Sequence, residues 1–271
     1  MGIEDLEGTT YGPYPYRTDP EKVHEYGEIA GAQPGSEHAP PSLAGALLFC
    51  VAPHLLADER AGDATRSVIH GDQSFVWHGP IPMGVELSVS GVVSRVRRRG
   101  DVFFTNFDLE VTESGSPVVS GSSTFLMSSG SAVNTEEVVE RAEPLPESGS
   151  VCEHVSGQLG DQPTELGRFS ASRSDLVRYA GASRDWNPIH WDHDAAVGAG
   201  LPGVVVHGLL QSAWVVETAV QVGIEARAAR FRYRRPLGAA IPALLSGRRR
   251  ESGASFELGD HDGPFLTATV E

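Results

Sequence analysis

The sequence predicts an α+β protein built from two repeats, each a curved antiparallel sheet wrapped around one long buried helix. Two apolar helix segments, several strands of alternating polarity and an internal repeat that relates the two halves support this prediction. The chain has 271 residues, of which 40% are hydrophobic, so it can form one large domain or two of about 100–150 residues.

The two apolar segments span residues 42–58 and 208–223. Each is apolar on most of its faces, which is typical of a helix that is buried on all sides. A shorter unit precedes each segment, and its apolar and aromatic positions recur 153 residues apart, with Tyr16, Val23 and Tyr26 matching Phe169, Leu176 and Tyr179. The spacing predicts that both halves begin with a strand and a short helix.

Capping signals mark the start of both short helices. Thr18-x-x-Glu21 and Ser172-x-x-Asp175 have the spacing of capping boxes, in which two side chains bind the free N–H groups of a first helical turn. A glycine-containing stretch follows each unit and predicts the helix end there.

Alternating strands follow the first long helix. Residues 101–111 and 118–127 alternate apolar and polar side chains, and the "ESGSP" between them predicts a hairpin turn. A sheet wrapped around a buried helix gives such strands one apolar and one solvated face. A third correspondence supports the repeat at an offset of 156 residues, with Phe75, Pro80 and Gly91 matching Phe231, Pro236 and Gly247.

The domain boundaries follow from composition. Residues 1–133 form the predicted N-terminal repeat, and residues 164–271 form the C-terminal one. Residues 134–163 are acidic and rich in Gly, Pro and Ser, as expected of a linker. Few residues follow Gly247, so the last strands of the second repeat are expected to be short.

The net charge and the N-terminal sequence indicate which partners and which cellular location to expect. A net charge of −15 argues against a general nucleic-acid or anionic-membrane binder. The acidic N-terminus lacks a secretory signal, and no apolar run reaches the roughly 20 residues of a membrane span. We expect a cytoplasmic protein with Cys50 and Cys152 as free thiols.

Arginine clusters interrupt the acidic composition at residues 95–99, 227–235 and 248–250. One interpretation is solvated strand or hairpin edges, which charge protects against sheet-to-sheet aggregation. The other is a landing site for phosphates or for an acidic carrier protein. The sequence leaves both open.

The two halves differ in the stretch before the second long helix. Tyr26 precedes Ser42 by 16 residues, whereas Tyr179 precedes Gly208 by 29, so the second half carries 13 extra residues. These lie around "YAGASRDWNPIHWDHDAA", which is rich in Asp, Asn and His, whereas the first half has "QPGSEHAPP" there. We infer one chemically equipped half and one degenerate half.

Several interpretations of this stretch are open from the residues alone. Asp185 and His190 could form an acid–base pair, or an Asx turn beside a hydrogen-bonded histidine. His190 and His193, with Asp192 and Asp194, offer zinc-type ligands, but no Cys and no His-x-x-x-His pair accompanies them. We therefore predict no metal, with Asp192 and His193 solvated and Asp194 capping the helix that follows.

The segment "RDWNPIHWDHDAA…LPGVVVHGLL" resembles the D-x-N-P-[IL]-H…H-G-[LM] signature of MaoC-like dehydratases, which include the (R)-specific enoyl-thioester hydratases. The first half resembles the dehydratase domain that precedes MaoC domains in two-part proteins. The resemblance implies the hot dog fold and, for two-part members, a double hot dog with one active site.

The resemblance also implies an activity and its residues. MaoC-like enzymes add water reversibly to trans-2-enoyl thioesters and form (R)-3-hydroxyacyl thioesters. Asp185 and His190 match the catalytic pair, Asn187 matches the asparagine that holds their loop, and Gly208 matches the glycine whose N–H faces the thioester carbonyl. The sequence does not assign the base within the pair.

The expected substrate is a thioester of CoA or of an acyl carrier protein, with CoA or phosphopantetheine entering only as part of that substrate and no separate cofactor. His207, Trp186 and Pro188 are further candidates for the substrate site, although the residues themselves favour a packing position in the loop for Trp186 and a position at the helix entry for His207. An acyl tunnel is expected beneath residues 42–56. The resemblance is also compatible with a homodimer of double hot dogs.

Two other functions remain open. A catalytically silent acyl-thioester binding or partner subunit would share the fold without using the pair. A hot dog thioesterase would carry a carboxylate on or near a long helix, where Glu217 and Asp58 are the candidates.

Overall fold

A computed structural model describes residues 2–130, 151–154 and 159–271. It contains five α-helices within these ranges: α1 Pro20–Ala30, α2 Ala44–Leu56, α3 Arg173–Ser183, α4 His193–Gly198 and α5 Gly208–Gln221. The strands are β1 Thr10–Arg17, β2 Ser67–Trp77, β3 Glu86–Arg99, β4 Val102–Glu113, β5 Ser116–Ser128, β6 Val151–His154, β7 Thr164–Ser170, β8 Ala228–Tyr233, β9 Ala243–Arg249, β10 Ala254–Asp260 and β11 Gly263–Val270.

The described strands form one antiparallel sheet, and the order of its strands is the same in the two sequence repeats. The order is β1-β3-β4-β5-β2-β8-β11-β10-β9-β7-β6. With β7 to β11 taken as the second copies of β1 to β5, both repeats have the same order. The copies meet where β2 pairs with β8, with Phe75 opposite Ala229. The predicted α+β architecture of two repeats around two long helices is confirmed, and the sheets of the two repeats are continuous through this pairing.

The two long helices lie at the centre of the molecule. Most side chains of α2 and α5 are buried, as predicted from their apolar faces. The helices approach closely where Gly45 faces the side chain of Leu209, because a Cβ at Gly45 would lie 3.4 Å from the Leu209 Cβ. The two repeats therefore share one core.

The short helices confirm one capping prediction and correct another. Ser172 and Asp175 form the predicted capping box at the start of α3. α1 instead begins after Asp19 and has no side-chain cap, because the Thr18 hydroxyl donates to the backbone carbonyl of Val85 at 3.1 Å. Helix α3 also runs past the predicted glycine stop and ends at Ser183, and Arg184 follows it in a left-handed conformation.

Two glycines at equivalent positions of the two repeats, Gly91 and Gly247, each lie beneath an aromatic ring. A Cβ at Gly91 would lie 2.2 Å from the Phe107 ring, and one at Gly247 would lie 2.9 Å from the Phe256 ring. Only glycine lets these aromatic rings lie flat on the neighbouring strand. Their offset in the sequence therefore reflects equivalent packing in the two sheets.

The predicted linker contains a strand. β6 pairs with β7, with Cys152 opposite Phe169, and so adds an edge strand to the second sheet. Residues 134–150 and 155–158 of the predicted linker lie outside the described residues. The last strands of the second repeat are short, as expected: β10 has 7 residues and β11 has 8, against 12 and 13 for β4 and β5.

The arginine cluster at residues 227–235 is not at a sheet edge. It lies on β8, in the middle of the sheet, where Arg230 and Arg232 project to solvent and Arg232 pairs with Asp72 at 2.7 Å. The alternation that exposes these arginines turns Phe231 and Tyr233 toward α5. Of the described helices, none is both long and apolar enough to cross a membrane.

The space beneath α2 is filled. Leu47, Leu48, Val51 and Leu55 have no exposed surface and pack between the helix and the rest of the core. A void of about 10 Å³ lies between α2, α5 and the sheet. The acyl tunnel expected beneath residues 42–56 therefore does not match this packing, because apolar side chains occupy its place.

Candidate active site

The loop between α3 and α4 is shaped by its own side chains. The Asn187 N–H donates to the Asp185 carboxylate at 3.3 Å, and the Ile189 N–H donates to the Asn187 side-chain carbonyl at 3.4 Å. Pro188 then begins a 3₁₀ turn, Pro188–His190, for which its fixed φ angle is suited. These local bonds turn the chain so that His190 faces back toward Asp185.

Asp185 and His190 form a buried pair. The His190 Nδ1–H donates to the backbone carbonyl of Val205 at 2.8 Å, which leaves Nε2 free to accept. Nε2 lies 4.0 Å from the Asp185 Oδ2. A water oxygen could reach both atoms at hydrogen-bond distances of about 2.8 Å. The pair can therefore hold one reactant oxygen between a carboxyl and an imidazole.

Burial moves the pKa values of the pair toward each other. It raises the pKa of Asp185 above its usual range, against the lowering effects of His190 and the Asn187 N–H. It lowers the pKa of His190, which the Asp185 charge partly restores. When the two pKa values converge, a proton moves between the groups at a small cost in free energy, as acid–base catalysis requires.

His207 supports the pair from behind. Its ring stacks on that of His190 with centroids 3.8 Å apart, and its Nε2–H donates to the Asp185 backbone carbonyl at 3.2 Å. Burial, with His190 beside it, holds the pKa of His207 well below the usual range, so this ring is neutral. Its Nδ1 is buried and has no partner among the described residues.

The N-terminus of α5 opens beside the pair. The His207 carbonyl accepts from the N–H groups of Leu210 and Gln211 at 3.1 and 3.2 Å, so the helical bonding starts there. The N–H groups of Gly208 and Leu209, which come before these, have no partner within the helix. Together with the helix dipole they favour a negatively charged oxygen at this position.

Two clusters among the described residues have the composition of a metal site: one is Asp260, His261 and Asp262, and the other is formed by the candidate residues. Asp185, His190 and His207 each offer a ligand atom within 4.8 Å of the others. The two rings are stacked with centroids 3.8 Å apart and tilted by only 23°, so an ion in the plane of one ring lies outside the plane of the other. The His190–His193 set considered from the sequence does not form a cluster of this kind.

The structure brings together only some of the predicted site residues. Asp185, His190, His207 and Gly208 share one region, whereas the Trp186 side chain is 55% exposed on the outside of the loop. Pro188 is exposed as well, so both residues shape the loop from outside it.

The capping assignment in this loop is corrected. Asp192, not Asp194, caps the helix that follows, because its carboxylate accepts from the Ala195 N–H at 2.9 Å. Asp194 lies in the first helical turn and is exposed.

The sequence did not single out two residues that lie beside Gly208. Tyr233 packs its ring against the start of α5, since a Cβ at Gly208 would lie 3.0 Å from the ring. Its hydroxyl bonds the Ser212 hydroxyl at 2.8 Å. The alternation of arginines and apolar residues on β8 was the available signal, because it turns every second side chain inward.

The corresponding helix start in the first repeat is occupied. The Ser42 N–H donates to the carboxylate of Glu217, which projects from α5 and is buried. Burial raises the pKa of Glu217. The first repeat thus has no counterpart of the Asp185–His190 pair at this position, and a carboxylate from α5 binds the N–H of Ser42 there.

The sequence around the candidate site is similar to that of known proteins. A family model for the MaoC like domain matches residues 155–236. The mitochondrial 3-hydroxyacyl-[acyl-carrier-protein] dehydratase of Arabidopsis thaliana is 40% identical over 63 residues, which cover 23% of this chain and 37% of the plant protein. A UPF0336 protein of Cutibacterium acnes is 33% identical over 103 residues, 35% of this chain and 72% of that protein.

Solved structures resemble the whole chain. A MaoC-like dehydratase matches with a TM-score of 0.77 at 19% identity, covering 100% of this chain and 99% of its own. A double hotdog protein of Mycobacterium tuberculosis matches with a TM-score of 0.65 at 9% identity, covering 100% and 97%. The fold is therefore a double hot dog, with the candidate pair in one of its two halves. Residues 155–236 therefore match the MaoC like domain, and the similarity to the Cutibacterium acnes protein shows that the chain belongs with the UPF0336 proteins.

Proposed function

We propose that this protein catalyses the reversible hydration of trans-2-enoyl thioesters to (R)-3-hydroxyacyl thioesters. The observation that carries the proposal is the buried Asp185–His190 pair, 4.0 Å apart, beside the N-terminus of α5. The family's dehydratase name and the plant relative that dehydrates acyl-carrier-protein thioesters support the reaction class.

In the proposed mechanism, the pair activates one water. His190 is neutral because burial lowers its pKa, and its Nε2 accepts a proton as the water oxygen bonds to C3 of the substrate. Negative charge then moves to the thioester oxygen. The first-turn N–H groups of α5, at Gly208, stabilise this enolate by hydrogen bonding and by the helix dipole.

The second proton transfer completes the addition. Asp185, whose pKa is raised by burial, donates its proton to C2 as the enolate collapses. The product has gained one hydroxyl at C3 and one hydrogen at C2. The proton on His190 returns to Asp185 across the pair, and the reverse sequence dehydrates a 3-hydroxyacyl thioester.

The alternative carboxylates for a thioesterase are engaged elsewhere. Glu217 accepts from the Ser42 N–H at 3.1 Å, and Asp58 accepts from the Tyr11 hydroxyl at 2.9 Å. Arg60 also binds Asp58 and lowers its pKa. Neither carboxylate lies in the cluster that Asp185 and His190 form with His207.

A hydration assay tests the proposal. Crotonyl and longer trans-2-enoyl thioesters, linked to CoA or to a carrier protein, are incubated with the wild type, Asp185→Asn and His190→Ala. We expect loss of enoyl absorbance with the wild type and a loss of rate of about 100-fold or more in each variant. Asp194→Asn, which changes an exposed carboxylate of the same loop, is the matched control and should keep the wild-type rate.

The same assay separates the other functions. A thioesterase would release free thiol, which a thiol reagent detects. A silent binding subunit would bind the thioesters without converting them. Full hydratase activity in both Asp185→Asn and His190→Ala would show that another site carries the reaction.

A further inference from the structure

Tyr233 lies across the face of α5 that leads away from Gly208. Its ring is within contact distance of Gly208, and its hydroxyl bonds Ser212, one helical turn further along the same face. Any acyl chain that places its thioester oxygen at the start of α5 and continues along this face meets the Tyr233 ring. Tyr233 is partly exposed, so it stands between solvent and the core.

A small apolar void lies behind this tyrosine. Its volume is about 10 Å³, close to the minimum that one water needs. It is lined from both repeats and includes the next positions on the α5 face; its walls are Ser42, Gly45, Phe75, Trp77, Leu209, Ser212, Ala213, Val216 and Phe231. Ser212 lines the void and also bonds the Tyr233 hydroxyl, so the tyrosine is held against one wall of the void.

The first repeat holds the tyrosine ring in place. The His70 ring from β2 lies 5.0 Å from the Tyr233 ring, and Phe125 from β5 lies 4.9 Å behind His70. Burial lowers the pKa of His70 to about 4, so this contact is made by a neutral ring at ordinary pH. The closed position of Tyr233 is therefore supported by packing and by its bond to Ser212.

We propose that Tyr233 sets the acyl-chain length that this enzyme accepts. With Tyr233 bonded to Ser212, the space along α5 ends at the tyrosine ring, and short enoyl chains of about four to six carbons are preferred. Removing the ring frees the space that it fills between Gly208 and Ser212, next to the void, and so makes room for longer chains. This inference rests on the proposed hydratase function and specifies the substrate class of that site.

The test compares chain-length preference in three proteins. Values of kcat/KM are measured for crotonyl-CoA and trans-2-octenoyl-CoA with the wild type, Tyr233→Ala and Tyr233→Phe. We expect the octenoyl-to-crotonyl ratio to rise at least tenfold in Tyr233→Ala, since each methylene that finds an apolar pocket changes discrimination by about tenfold or more. Tyr233→Phe keeps the ring, so its ratio should stay within about threefold of the wild type.

Binding provides a readout that does not depend on turnover. Dissociation constants of butyryl-CoA and octanoyl-CoA are measured by calorimetry with the same proteins, and the same shift in preference is expected. Tyr233→Leu replaces Tyr233→Ala if the alanine variant fails to give a cooperative thermal transition.

Each outcome has one meaning. A wild type that handles octenoyl-CoA as well as crotonyl-CoA, or an unchanged ratio in Tyr233→Ala, overturns the role of Tyr233 and leaves the hydratase intact. No hydration of either enoyl thioester, with the binding preference shifted as expected, overturns the proposed function and leaves the role of Tyr233. No binding of either acyl-CoA overturns both.

Discussion

The Glu217 carboxylate, on the central helix of one repeat, accepts a hydrogen bond at 3.1 Å from the Ser42 N–H, in the 3₁₀ turn Pro41–Leu43 that leads into the central helix of the other. The duplicated sequence makes the starts of the two helices equivalent, but their partners differ. One faces an internal carboxylate, and the other, at Gly208, lies beside the Asp185–His190 pair. A helix N-terminus that already holds a carboxylate has no place for a second anion. Glu217 thus closes the first repeat to a thioester oxygen.

Removing the Glu217 carboxylate should destabilise the protein. Glu217→Ala leaves a cavity in the core and a buried N–H without a partner at Ser42, so we expect the free energy of unfolding to fall by about 2–4 kcal/mol. Glu217→Gln keeps an acceptor of the same shape and should stay within about 1 kcal/mol of the wild type. Urea denaturation measures both, and equal midpoints for the alanine variant and the wild type would contradict the capping role.

The same residue predicts a pH dependence. Because burial raises the pKa of Glu217 above its usual value of 4.5, the unfolded chain releases this proton at a lower pH than the folded chain. Stability from this group is therefore complete below about 4.5 and is lost as the pH rises through the folded-state pKa. Glu217→Gln lacks this titration. Burial also raises the pKa of Asp185, but that group is present in both proteins, so its contribution cancels in the difference between them. The free energy of unfolding of Glu217→Gln minus that of the wild type should grow across this window, and a constant difference would contradict it.

Asp185 and His190 should act as one unit. Asp185→Asn removes the proton that reaches C2, and His190→Gln removes the base, so each change should lower kcat by about 10²–10⁴. Because neither proton transfer completes the reaction alone, the double variant should be no more than a few-fold slower than the slower single variant. Single-turnover rates with crotonyl-CoA measure this coupling. Multiplying effects in the double variant would show that the two residues work in separate steps.

The fold could be predicted because its signals are local or periodic. The matched positions Tyr26 and Tyr179, both buried, meet with ring centroids 5.8 Å apart, so the repeat read from the sequence is also a contact in the core. The capping box at Ser172 depends on three neighbouring residues and was predicted correctly. The box at Thr18 was wrong because its hydroxyl binds Val85, which is 67 positions away.

In the candidate site too, the residues that local sequence signals predict differ from those that only distant contacts bring together. Asp185, Asn187 and His190 lie within six residues and bond locally, so a motif was enough to find them. Tyr233 reaches Gly208 only because β8 pairs with β2 and turns its inner face to α5, and no local pattern encodes that approach. The filled space beneath α2 likewise depends on how the two repeats pack.

His207 should tune the acidity of His190. Its ring shields the His190 ring, and burial is the main cause of the lowered pKa of His190. In His207→Ala, water reaches His190 and its pKa rises toward 6.5, so the low-pH limb of the kcat/KM profile should move to higher pH.

His207→Phe is the control for shielding. It keeps an aromatic ring against His190 but loses the hydrogen bond to the Asp185 carbonyl. The low-pH limb of the kcat/KM profile of His207→Phe should stay near that of the wild type. Its kcat should fall about tenfold, because Asp185 loses the hydrogen bond that helps to hold it in position. An unchanged profile in His207→Ala would show that the ring does not set the acidity of His190.

Gly208→Ala should separate activity from stability. The new Cβ would lie 3.0 Å from the ring of Tyr233, which needs to give by only a few tenths of an ångström, while alanine favours the helix more than glycine does. We therefore expect the free energy of unfolding to change by less than about 1 kcal/mol. The methyl group lies where the thioester oxygen must approach the first-turn N–H groups, so kcat/KM should fall by about 10²–10³, as when one oxyanion donor is lost.

Gly27→Ala is the matched helical control for this change. A Cβ at Gly27 would make an ordinary contact at 3.5 Å with Ala32, away from the candidate site, so both stability and activity should remain close to those of the wild type. Thermal denaturation and crotonyl-CoA hydration measure the two variants side by side. If Gly208→Ala hydrates crotonyl-CoA as fast as Gly27→Ala does, the thioester oxygen is not bound at the start of α5.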